Sequence, residues 1–95
     1  MVELHFHLLV CVEYGKCSYT VYVCEEEALR ALRAYIRASL KIKTLRRDRP
    51  LHEIVTFLKQ LDDPDTDYKE IVRQWRKYNY GRANCTIYPV SLTLE

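Results

Sequence analysis

The chain has 95 residues, a formal net charge of +2, 48% hydrophobic and 29% charged residues, and only two glycines and three prolines. These values fit one compact domain over residues 1–95 and exclude collagen-like, low-complexity and disordered chains, which need more Gly or Pro or less apolar content. No apolar run approaches the roughly 18 residues of a membrane span, and residues 1–7 lack the basic opening and cleavage site of a signal peptide.

A cytoplasmic protein without a membrane partner is therefore expected, inside a host cell if the source is a virus. Four Asn and Gln residues, one Met and many charges are also the balance expected of a thermophile. Four cysteines without a secretion signal point to reduced thiols, metal ligands, catalysis or, in a thermophile, structural disulfides.

Along the chain, Leu4, Phe6, Leu8, Val10 and Val12 recur at every second position, the period of a half-buried strand over residues 4–13. Residues 17–24 are rich in β-branched and aromatic side chains and read as a second strand. Gly15 supplies the turn between them. Centring that turn on Gly15 and Lys16 pairs Val12 with Tyr19, Val10 with Val21 and Leu8 with Val23 on one face, which is expected to lie under the helices.

Glu25, Glu26 and Glu27 open a helix, with negative charge where the helix dipole favours it. Its predicted buried stripe is Leu29, Leu32, Ile36 and Leu40, and it runs to about residue 43. Pro50 suits the start of a second helix carrying Leu51, Ile54, Val55, Leu58 and Leu61. A third helix starts near Asp67, buries Tyr68, Ile71, Val72, Trp75 and Tyr78, and ends at Gly81. Residues 84–94 read as a last strand, in which Pro89 demands an edge position or a bulge. The fold expected is α+β, ββαααβ, with a three-stranded antiparallel sheet in order 2-1-3 and helices on one face.

The near-neutral balance conceals segregation. Residues 1–29 carry −4, residues 30–49 carry +7, residues 50–66 carry −3 and residues 67–82 carry +3. Helical spacing gathers Arg30, Arg33, Arg37 and Lys41 on one face, continued by Lys43, Arg46, Arg47 and Arg49. Arg73, Arg76 and Lys77 share the solvent face of the third helix. Such a stripe is the electrostatic footprint of a phosphate backbone, so DNA or RNA is an expected partner. A helix-turn-helix over residues 51–80 would offer Arg73, Gln74, Arg76 and Lys77 to bases, but its turn carries Asp62, Asp63, Asp65 and Asp67 close to the phosphates.

The opposite sheet face is expected to hold His5, His7, Leu9, Cys11 and Glu13. Leu9, Cys11, Tyr22 and Tyr88 there form an apolar interface for a homodimer or a protein partner. His5, His7 and Cys24 are the weak candidates for a metal site, and no cofactor is expected. The same register leaves Cys85 as the available intramolecular disulfide partner, for at most one bridge. No nucleophile elbow, phosphate loop or metalloprotease motif is present, so a binding protein is expected rather than an enzyme. His52 and Glu53 are a free-standing acid–base pair. No motif specifies a family. The hairpin followed by Glu25-Glu26-Glu27-Ala28-Leu29-Arg30 resembles, over residues 8–34, small phage, plasmid and archaeal-virus proteins. Some of those inhibit host defences, which implies a protein-interaction role.

Overall fold

The computed structural model describes residues 1–43 and 50–95, with the side chains of residues 41–43 excepted. The elements are β1 (Val2–Glu13), β2 (Lys16–Tyr22), α1 (Glu25–Lys43), α2 (Leu51–Asp62), α3 (Tyr68–Tyr78) and β3 (Ala83–Leu94). The sheet is antiparallel in order β2-β1-β3, as expected from an odd number of helices returning the chain beside its first strand.

The hairpin register differs from the expected one by two residues. Glu13 pairs with Lys16, Val10 with Tyr19 and Leu8 with Val21. The turn is centred on Tyr14 and Gly15, both at positive φ (50° and 83°), as a two-residue type I′ turn requires. Tyr14 tolerates this conformation because it is held at both ends. Its backbone N–H donates to the Arg82 carbonyl at 2.8 Å, and its hydroxyl donates to Asn79 Oδ1 at 3.3 Å. Asn79 is itself buried and donates from Nδ2 to the Trp75 carbonyl at 2.9 Å, so the hairpin tip is latched onto the end of α3.

A shift of two preserves which residues share a face, but the face turned towards the helices is the other one. Leu9 and Cys11, expected outside, are 5% and 1% exposed and sit in the core with Ala83 and Cys85. Tyr22, also expected outside, packs against that core. The reason is size. Alongside Leu9, Tyr22 and Ile87, the residues beneath the helices include the small Cys11, Ala83 and Cys85, which lets Trp75 and Ile36 lie close against the sheet, both fully buried. The bulkier row of β1, Leu4 to Val12, then faces out.

Ala28, Leu32, Ile36 and Leu40 of α1, Phe57 and Leu61 of α2, and Ile71, Val72, Trp75 and Tyr78 of α3 complete the core. Leu29, expected in the buried stripe, is only half-buried, while Leu51 and Val55 of α2 are exposed. Trp75 meets Tyr35 edge-on at 5.9 Å, and Phe57 meets Tyr78 at 5.3 Å. Asp67 caps α3 by accepting from the Lys69 N–H at 3.1 Å. At the other end, the Gly81 N–H donates to the Arg76 carbonyl at 2.8 Å, with Gly81 at φ 77°. Pro89 occupies an outer-strand position opposite His7 without interrupting the register, so no bulge is needed.

Candidate functional site

Two surfaces compete for function, and the sheet builds the first. Because pairing partners share a face, Val2, Leu4, Phe6, Leu8, Val10 and Val12 of β1 align with Cys17, Tyr19 and Val21 of β2. On the other side they align with Asn84, Thr86, Tyr88, Val90, Leu92 and Leu94 of β3. None of these residues is charged. Tyr19, Val21 and Tyr88 are 67%, 59% and 50% exposed, and Val90, Leu92 and Leu94 are exposed as well. Of the four interface residues expected from sequence, Tyr88 alone belongs to this face; Leu9, Cys11 and Tyr22 lie on the helix side.

β2 reaches only to Tyr22, opposite His7, whereas β1 and β3 continue together to the Val2–Leu94 pair. Residues 2–6 and 90–94 thus form a two-stranded arm beyond the helices, on a molecule 56 Å long and 16 Å thick. One side of the arm is apolar (Leu4, Phe6, Val90, Leu92). The other is polar, with His5 Nδ1 and Ser91 Oγ at 3.2 Å and His5 within 3.9 Å of Glu3.

On the helix side of the sheet, Glu13 accepts hydrogen bonds from Tyr35 (3.2 Å) and Ser39 (3.0 Å) of α1. Burial, reinforced by the Glu13 carboxylate, pushes the Tyr35 hydroxyl up to about 12. Cys11 and Cys85 are directly opposed across β1 and β3, with their sulfurs 2.8 Å apart. The Cys85 thiol donates to Cys11, which lowers Cys11 and raises Cys85, and burial lifts Cys85 further. Cys17 and Cys24 are exposed. His5, His7 and Cys24 form no metal-binding group, and no cluster of three or more His, Cys, Asp or Glu suited to a metal ion occurs among the described residues. The pairing of β2 with β1 stops at Tyr22, opposite His7, so the ladder does not bring Cys24 beside a histidine.

The second surface is the basic one, and several of its cations have internal work. Arg33 donates to the carbonyls of Gln60 (3.2 Å), Leu61 (2.8 Å) and Thr66 (2.7 Å), closing the C-terminal end of α2. Arg37 pairs with Asp62, and Arg73 with Glu70. The Arg73 and Gln74 hydrogen bonds hold the Glu70 carboxyl down to about 2. Gln74 also donates to Gln60 at 2.7 Å, so it is tied to its neighbours rather than presented to a base edge. Arg30, Arg76 and Lys77 are exposed. Arg46, Arg47 and Arg49 lie outside the described residues, as do the side chains of Lys41 and Lys43.

A depression of about 500 Å³ between α2 and α3 brings His52 and Glu53 beside Arg73 and Lys77. Another, of about 570 Å³, lies where Arg30 and Arg33 face Asp62. Among the described residues, no helix is long and apolar enough to cross a membrane. No family model, no curated protein and no solved structure significantly matches the chain.

Proposed function

We propose that the chain is a protein-interaction module that works through the open face of its sheet. One observation carries this reading: the more apolar side of the sheet, free of any charged residue, is the side the helices leave bare. Small soluble domains seldom leave a contiguous apolar patch of this extent in water, and such patches mark contact surfaces. An inhibitor of the kind found among small virus and plasmid proteins would use such a face.

Hydroxyl-radical footprinting in the cells that make the protein tests the reading. Tyr80, which lies off the face, is 68% exposed, almost the same as Tyr19. Protection of Tyr19 and Tyr88 relative to Tyr80 is the expected result. Labelling of all three in proportion to their exposure would overturn it.

A second reading, nucleic-acid binding through α1 and α3, is favoured by Arg73 and Lys77 of α3, which line a depression with His52 and Glu53 of α2. Arg76 adds exposed charge on α3, and Arg30 does so on α1. It expects binding of a labelled duplex at low salt, with a negative slope of log affinity against log salt. Replacing Arg76 and Lys77 together by Glu should flatten that slope by about two, roughly one for each phosphate no longer neutralised. No binding at low salt would exclude it.

A further inference from the structure

We infer that the occupant of the open sheet face is a second copy of this chain, packed sheet against sheet. The inference rests on the interaction-module reading and names its partner.

Area is the first argument. At about 3.3 Å per residue and 4.8 Å between strands, the three strands present roughly 500 Å² in plan. Two copies together cover about 1,000 Å², the floor for a specific interface, and the corrugated accessible area is larger than its plan. Both sheets supply side chains that stand off the backbone, the arrangement by which packed sheets about 10 Å apart share one core.

Charge is the second argument. In a two-fold interface each group near the axis meets its own copy, so a charged face opposes itself. This face has no carboxylate, ammonium or guanidinium to oppose. It offers a phosphate backbone no cation and a charged peptide no counter-ion. Its central row is Leu8, flanked by Val21 on β2 and Tyr88 on β3, so apolar groups lie on both sides of the middle strand.

The arm supplies the third argument. A two-stranded ribbon is marginal in water by itself. Residues 2–6 and 90–94 extend beyond the helices with Leu4, Phe6, Val90 and Leu92 on one side. That side is continuous with the open face, so a covering sheet supports the arm as well. Association along the β3 edge is disfavoured by Pro89, which lacks an N–H on that outer strand. The other edge, β2, offers only seven residues, so the face is the larger route. A second copy is also present wherever the chain is made.

Sedimentation equilibrium of the purified chain tests the inference, with footprinting of the same sample. The expected wild-type mass is twice 11.4 kDa, with Tyr19 and Tyr88 protected relative to Tyr80. Val21→Asp and Leu8→Asp each place a carboxylate at the interface twice over and should weaken dimerisation at least about 100-fold. Both substitutions point away from the helix-side core, so far-UV circular dichroism should report a folded monomer. A wild-type monomer with freely labelled Tyr19 and Tyr88 overturns the inference, and so does a dimer unmoved by Val21→Asp. If those tyrosines are nevertheless protected in cells, the interaction-module reading stands and a different protein is the occupant. If they are labelled in both settings, both conclusions fail. Should either variant fail to fold, the wild-type mass and footprint decide the matter.

Discussion

Oxidising the Cys11–Cys85 pair should staple the two ends of the chain together. The residues are directly opposed on antiparallel strands, where Cα atoms lie about 4.5–5.5 Å apart, within the span a disulfide accepts. Their sulfurs are already 2.8 Å from each other. Oxidised glutathione can supply the chemistry. The Cys11 thiolate, favoured by the hydrogen bond from Cys85, attacks the glutathione disulfide and releases one glutathione thiolate. Cys85, once deprotonated, displaces the second, so two protons and two electrons leave the protein as the oxidant becomes two thiols.

The loop closed spans 74 residues of separation. In the chain-entropy treatment this restricts the unfolded state by about 4 kcal/mol. A domain of this size gains roughly 4–8 °C of Tm per kcal/mol, so a rise of about 16–32 °C follows, reduced by any strain in the bridge. Because both thiols are buried, oxidation should run far faster during refolding than on the folded protein. Intact mass, peptide mapping and thermal denaturation with and without reductant read the outcome. Cys85→Ser should abolish the reductant dependence, whereas Cys17→Ser should leave it. Failure to form the 11–85 bridge on oxidative refolding, or an oxidised form no more stable than the reduced one, would refute the reasoning.

Arg33→Ala should cost about 2 kcal/mol, since a guanidinium that donates to three carbonyls is removed from a helix C-terminus where positive charge is favoured. Chemical denaturation measures this, and a neutral result would show that water replaces the cap. Glu70 should titrate near 2 by carboxyl NMR, rising part of the way towards the usual range in Arg73→Ala, where the Gln74 hydrogen bond is left. Its pairing supports α3 fully above the ordinary carboxylate range, and that support is lost progressively as pH falls from there through about 2; an ordinary titration in the wild type would exclude the pair. Tyr35 should be among the last tyrosines to ionise, near 12, with the stability it lends present below about 10 and lost as pH rises through its folded value. Absorbance titration of Tyr35→Phe against wild type should show the loss of one late-ionising group.

Element order and strand order were legible because local signals agreed: Gly15 at a turn, three glutamates opening α1, Asp67 capping α3 and Gly81 ending it. The orientation of the sheet was not. β1 is apolar at all its even positions and also at Leu9 and Cys11, so alternation alone names two faces without saying which one the helices take. Side-chain volume decides, since Trp75 and Ile36 need small residues beneath them, and the small ones are Cys11, Ala83 and Cys85 on strands far apart in the chain. The turn was misplaced for a related reason. Tyr14 at positive φ is unfavourable locally and is held there by Arg82 and Asn79, which reach it only after the whole chain has folded. The basic stripe was legible as spacing on α1, but the part Arg33 plays at the end of α2 depends on tertiary geometry.

The pairing of β1 with β3 also bears on how the protein is made. β1 emerges from the ribosome before the helices and β3 after them, yet β3 covers one whole edge of β1 from Val2 to Glu13. Until β3 appears, β1 has only the shorter β2 beside it, and Cys11 lacks the neighbour it meets in the native sheet. The nascent chain therefore carries β1 with one edge unpaired until β3 has been made. Fragments ending before residue 83 should aggregate rather than fold, and assembly of the sheet has to wait for β3.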